Sequence, residues 1–355
     1  MNVQFLARRG RMGVTGRRMR VTGRAVLCLA ALIGSALPAG GASANAAVGT
    51  AAATATADYY VANTGANTVS EVDTSTGAVV GALSVVSPVA VVADSAGRRL
   101  YVSSDAGLGS FADSAIFVFD TATNALVATI PTDYAVTSMA LADGVLYGTD
   151  PSTQTVDVVT TFNDEVTSEF PLSDNGVPFG VSLSPDSTRA YVVDTSGDLL
   201  TLNTDGNQTI STLGLGIVPR EQVISPNGKD IYVYGESGNT GKGKLIAVDA
   251  ATGKVTTTRK LSPSIDALAV SPDGSTLYAA DDSAETLILI NASSLATTSK
   301  ASLPAGSFPD GIAADTGNVY VSEAQAGAVA DYNLSTHKFQ FTTVGSFPGA
   351  IVLIP

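Results

Sequence analysis

Short apolar runs, four to a unit, recur along most of the chain. One of the four ends in a tyrosine, usually followed by valine: DYYVAN (Tyr60), RLYVSS (Tyr101), VLYGTD (Tyr147), RAYVVD (Tyr191), DIYVYG (Tyr232), TLYAAD (Tyr278) and NVYVSE (Tyr320). The intervals between these tyrosines are 41, 46, 44, 41, 46 and 42 residues. Ahead of the tyrosine lies a turn such as SPDST (184–188), SPNGK (225–229) or SPDGS (271–275), where Pro and Asp-Gly or Asn-Gly combinations punctuate the chain. Ahead of that turn is an apolar strand, as in GVSLS or DALAVS. After the tyrosine comes a second turn, then an alternating strand (TVSEVD, AIFVFD, KLIAVD, TLILIN). A third turn headed by Asp or Asn follows (Asp73, Asp120, Asn203, Asp249, Asn291, Asn333), and then a last β-rich strand such as AVVGAL or ALVATI.

The period is two throughout, with no helical spacing. Four strands per unit, repeated radially, predict an all-β, seven-bladed β-propeller with four-stranded blades over residues 58–355. Length alone would suggest two domains, but the repeat overrules it. The unit order also predicts how the ring shuts. The first unit begins at DYYVAN with no inner strand before it, and FPGAIVLIP (347–355) resembles the inner strands VPFGVSLSP and SFPDGIAAD. The C-terminal strand is therefore expected to complete the N-terminal blade.

Residues 1–44 carry seven arginines and no acid, an apolar run from Ala25 to Leu37, and small residues fit for cleavage after Ala44 or Ala46. This is the pattern of a signal peptide, and the run is too short to span a bilayer, which takes about 20 residues. Residues 45–57 are expected to be a short flexible segment. The single cysteine, Cys28, lies inside the apolar run, so the exported chain is expected to hold no disulfide. Export also removes seven of the 19 basic residues and none of the 32 acidic ones, leaving a formal charge of −20. That charge repels nucleic acid and anionic membrane surfaces. A secreted or surface-associated monomer without a transmembrane segment is expected.

The repeats resemble the YVTN family of bacterial β-propellers. The segments that carry the likeness are YVANTGANTVSEVDTSTGAVVGAL (60–83), IFVFDTATNALVATI (116–130) and VPFGVSLSPDSTRAYVVD (177–194). WD40 repeats fit poorly, since no tryptophan is present. The resemblance implies a secreted or surface-attached propeller. Folds related to that family include lactonases and the propeller domains of copper and haem reductases.

Aligning the inner strands places one residue per blade near the channel mouth: Val89, Val136, Phe179, Arg220, Asp266, Asp310 and Gly349, with Glu221 beside Arg220 and with Phe308 and Phe347 just before their prolines. A concave site with apolar walls and a few converging polar groups is the default ligand site, so Phe179, Arg220, Asp266, Phe308 and Asp310 are the candidate ligand-binding residues. Asp266 and Asp310 are alternative ligands for Ca²⁺ or another divalent ion, and no other cofactor is expected. Arg220, Glu221, Asp266 and Asp310 form the alternative catalytic set of a lactonase-type hydrolase. The plain alternative is that the carboxylates are solvated or pair with Arg220. Three residues past each tyrosine lie Asn63, Ser104, Asp150, Asp194, Gly235, Asp281 and Glu323, which read as tight-turn residues bonding their own backbone. The longer loops 103–113 and 234–244 are candidates for a protein-binding patch. One histidine, His337, and no cysteine beyond Cys28 exclude the usual zinc sets. The function these features predict is a non-catalytic scaffold that binds a protein, peptide or cell-envelope ligand.

Overall fold

The computed structural model describes residues 59–105, 114–172, 176–206, 208–238 and 240–354. The expected leader, the 45–57 segment and most of the 103–113 loop lie outside them. Among the described residues there are 28 strands in seven four-stranded antiparallel sheets and no helix.

Blade 1 joins β1 (Tyr59–Asn63), β2 (Thr68–Asp73) and β3 (Ala78–Ser84) to β28 (Pro348–Leu353), in the order β28-β1-β2-β3. Blade 2 is β4 (Pro88–Ala93), β5 (Arg99–Ser104), β6 (Ala115–Asp120) and β7 (Ala125–Pro131). Blade 3 is β8 (Ser138–Ala142), β9 (Val145–Asp150), β10 (Thr155–Thr160) and β11 (Glu165–Pro171). Blade 4 is β12 (Pro178–Leu183), β13 (Arg189–Asp194), β14 (Asp198–Asn203) and β15 (Gln208–Gly214). Blade 5 is β16 (Val218–Ile224), β17 (Asp230–Glu236), β18 (Gly243–Asp249) and β19 (Lys254–Leu261). Blade 6 is β20 (Ile265–Val270), β21 (Thr276–Asp281), β22 (Thr286–Asn291) and β23 (Thr297–Ser302). Blade 7 is β24 (Pro309–Ala314), β25 (Asn318–Glu323), β26 (Ala328–Asn333) and β27 (Lys338–Thr343). The inner strands touch in sequence from β4 through β8, β12, β16, β20 and β24 to β28, and β28 returns to β4.

The period-2 pattern sorts side chains between two apolar junctions rather than between core and water. Along β1, Tyr60 packs with Leu100 and Val102 of blade 2, whereas Tyr59 and Val61 pack with Tyr320 and Val329 of blade 7. This explains why β1, β5, β9 and β13 are buried almost end to end while the outer strands are largely exposed. Seven apolar clusters result, one at each blade junction. All seven repeat tyrosines are at most 3% exposed, and each enters the junction with the following blade. The tyrosine is thus the periodic wedge of the ring.

In six blades the third turn is fixed by its leading Asp or Asn; blade 3 has Thr160 there. Asp73 accepts from the Ser75 and Thr76 amides, Asp249 from the Thr252 amide and Asn291 from the Ser294 amide. Side-chain and backbone donors of these turns hold the Asp73, Asp120 and Asp249 carboxyls below the ordinary aspartate range.

Asp157 on β10 is the opposite case. It is 5% exposed, with one hydrogen bond, from Thr155 Oγ1 at 3.1 Å. Burial, together with Asp150, Glu169 and Asp133, pushes its pKa up to about 7. A carboxyl raised above its unfolded value keeps its proton in the native state. Its contribution is therefore present at low pH and is lost as pH climbs from about 4 toward 7. Asp157→Asn should raise the melting midpoint only slightly at pH 5 and by several degrees at pH 8. A difference that does not grow between those pH values would show that no buried proton is held there.

Candidate binding site at the channel mouth

Six inner strands carry a register shift at their first residues. It falls at Pro88/Val91, Pro178/Gly180, Pro219/Glu221, Ile265/Ala267 and Pro309/Ile312, and in β28 where Val61 and Asn63 of β1 meet Ile351 and Pro348. A bulge leaves a residue unpaired and re-aims its side chain. The residues in these bulges include Val89, Phe179, Arg220, Asp266, Asp310 and Gly349, the positions the sequence alignment placed at the mouth. Phe179, Asp266 and Asp310 are exposed, and Arg220 and Glu221 are half-buried.

Val136 is a correction. Strand β8 has no such shift, and Val136 is 1% exposed within the junction of blades 2 and 3. Gly148 lacks the Cβ that would collide with it. Without the bulge the side chain turns inward.

Phe308 and Phe347 are 42% and 44% exposed. Both have φ of 52°, in the left-handed region, immediately before a proline. That is an unfavourable place for a bulky side chain. It is held by backbone bonds: Ala324 N–H donates to the Phe308 carbonyl at 2.9 Å and Thr64 N–H to that of Phe347 at 3.0 Å. Ser87 in blade 2 repeats the geometry, with φ of 46° and its carbonyl accepting from Asp105 N–H. Strain retained this way concentrates at functional positions. Phe347 lies over Gly65, where any Cβ would meet the ring, and beside a cleft of about 390 Å³ that also takes in Gln325 and Ser346.

Glu221, Asp266 and Asp310 belong to the consecutive blades 5, 6 and 7. Burial pushes the Glu221 carboxyl up to about 8, and the charges of Asp310 and Asp266 add to the effect. Asp266 and Asp310 are therefore each within electrostatic reach of Glu221. Arg220 pairs across the strands. Its Nε donates to Glu236 Oε1 at 2.7 Å, both side chains being about a quarter exposed. The bulge after Pro219 brings Arg220 to the end of β17, where Glu236 stands opposite Val218. Sequence reasoning missed Glu236 because it sat in an apparent loop. Strand β17 runs through Glu236 and β18 starts at Gly243, so much of the 234–244 loop is sheet, with a tight turn between.

Among the described residues no three His, Cys, Asp or Glu side chains form a group able to hold a metal ion, and no helix is long and apolar enough to cross a membrane. The lone histidine, His337, is exposed in the third turn of blade 7, with Nδ1 3.0 Å from Tyr332 Oη.

The chain matches no protein-family model and no curated protein. Solved structures share its fold. A putative 6-phosphogluconolactonase from Bacteroides uniformis is similar with TM-score 0.68 and 19% identity, covering 84% of this chain and 99% of that one. One from Bacteroides fragilis gives TM-score 0.68 at 13% identity over 86% and 100%. A functionally unknown protein from Desulfotomaculum acetoxidans gives 0.69 at 13% over 84% and 98%. At these identities the likeness establishes a seven-bladed propeller with lactonase-like neighbours, and the chemistry must be argued from the site.

Proposed function

We propose that this propeller is a secreted, YVTN-like, non-catalytic scaffold whose channel mouth binds a basic segment of a protein or peptide partner at the cell envelope. The observation that carries this reading is the juxtaposition of Glu221, Asp266 and Asp310 with the exposed rings of Phe179, Phe308 and Phe347 on one face. Lysine or arginine next to apolar side chains complements such a surface in both charge and hydropathy. The leader pattern supports export, and the net acidity of the chain favours a basic partner.

The test uses labelled peptides that alternate lysine with leucine, against glutamate–leucine controls. Binding should be confined to the lysine series and should weaken with salt. Asp266→Asn with Asp310→Asn should cost about tenfold in Kd, or ~1.4 kcal/mol. Equal binding of both series, or no effect of the double variant, rejects the reading.

A hydrolase of the lactonase kind is the second reading, favoured by Glu221, whose carboxyl burial pushes up to about 8, a range suited to general acid–base work. Two features weigh against it. Arg220, the candidate oxyanion group, is engaged by Glu236, and three carboxylates disfavour a phosphorylated substrate. Turnover of a neutral lactone that disappears in Glu221→Gln is the result that would favour it instead.

A further inference from the structure

The position three residues past the repeat tyrosine provides an internal comparison. In blade 1, Asn63 Nδ2 donates to Thr68 and Ser70. In blade 2, Ser104 Oγ donates to the Val86 carbonyl. In blade 3, Asp150 accepts from the Ser152 and Thr153 amides. In blade 4, Asp194 accepts from the Asp198 amide, and in blade 6 Asp281 accepts from the Ala284 amide. Blade 5 has Gly235 there. Blade 7 has Glu323, which is 1% exposed and whose Oε1 is buried without a hydrogen-bond partner.

The difference is one methylene. An aspartate at this position folds back onto the amides of its own turn, whereas the glutamate overshoots them. Its strand pairing sets where it arrives. Glu323 is opposite Pro309, and the Gln325 amide donates to the Ser307 carbonyl. Ser307 is also 1% exposed, and its Oγ is likewise buried without a partner. The residue before it, Gly306, donates its amide to Glu285 Oε1 at 2.6 Å, so the Glu285 side chain of blade 6 is anchored at this junction. Thr286 Oγ1, next to Glu285, is a third buried oxygen without a partner. The Glu285 charge and burial together raise the Glu323 pKa to about 7.

Buried, unpartnered carboxylate and hydroxyl oxygens from two blades are costly unless something bonds them. All the groups are oxygens, which selects a hard cation over zinc or copper. We propose that the junction of blades 6 and 7 holds a calcium-class divalent cation between Glu285, Ser307 and Glu323, with water and backbone carbonyls completing its shell. The proposed ligands include neither Asp266 nor Asp310. The cation would act as a strut between two blades.

The experiment is thermal unfolding of the full chain in EDTA and then in millimolar Ca²⁺ or Mg²⁺, with calorimetric titration of Ca²⁺. Calcium should raise the midpoint by several degrees, as expected for a ligand well above its Kd that binds only the native state. Glu323→Gln should melt above the wild type in EDTA, since a buried unpaired charge is gone, and should no longer respond to calcium. Glu285→Gln, at the exposed end of the cluster, should also lose the response, which covers the case that Glu323→Gln does not fold. Asp266→Asn with Asp310→Asn should respond as the wild type does. Absence of any shift with either ion overturns the site, as does a full calcium response in Glu323→Gln or Glu285→Gln.

Discussion

Removal of residues 347–355 is expected to lower the unfolding midpoint by more than about 10 °C, or to abolish a cooperative transition. Strand β28 is the inner strand of blade 1 and pairs with β1 at Tyr59↔Leu353, Tyr60↔Val352 and Val61↔Ile351. Its side chains serve two junctions at once. Ile351 and Leu353 pack on the cluster of Tyr59, Val61 and Tyr320, while Val352 and Ile354 pack on that of Tyr60, Val69 and Leu83. Four half-buried aliphatic side chains contribute roughly 4–6 kcal/mol by transfer, against a total of about 5–15 kcal/mol for a domain. The truncated chain also exposes the edge of β1. Circular dichroism or scanning calorimetry reads the loss. Addition of a synthetic peptide of residues 345–355 should recover part of it, and a truncated chain melting within a degree or two of the parent would refute the closure.

Glu71→Ala should be the most damaging single substitution outside the aliphatic core, at about 3 kcal/mol. Glu71 is 6% exposed on β2. Its Oε1 accepts from Tyr60 Oη at 3.2 Å, and its Oε2 accepts from Asn124 Nδ2 of blade 2 at 2.7 Å. Gly81, directly opposite on β3, leaves the space the carboxylate fills, and a Cβ there would collide with Oε2. Alanine leaves the buried Tyr60 hydroxyl with only its 3.4 Å bond to Asn124 Oδ1 and empties the space beside Gly81. Glu71→Gln should lose less than half as much, because Asn124 can flip its amide to offer an acceptor. Equal losses for the two variants in urea unfolding would show that the cost comes from packing rather than from this clasp.

The blades were legible because the tyrosine wedge recurs at every junction and needs the same neighbours each time. The channel-mouth positions were legible for a related reason, since the proline or its equivalent that opens an inner strand also sets the bulge. Val136 escaped because β8 pairs with β9 without that bulge. The Arg220–Glu236 pair and the Glu71–Asn124 clasp escaped because each depends on a register or a loop position that no local pattern encodes. Glu323 was read as one more turn residue; only its extra methylene separates it from the aspartates of its ring, and the effect of that length appears only once Ser307 and Glu285 are in place.

The shared blade also dictates the order of events during synthesis. Each repeat tyrosine is covered only when the following blade arrives, so a growing chain always carries one bare tyrosine face at its leading edge. Tyr320 is the last of them, and its neighbour is Tyr59, with ring centroids 5.0 Å apart, on the first strand to emerge. Blade 1 therefore stays three-stranded until β28 emerges. A nascent chain can stack its blades one by one, but the circle shuts only once β28 has been made.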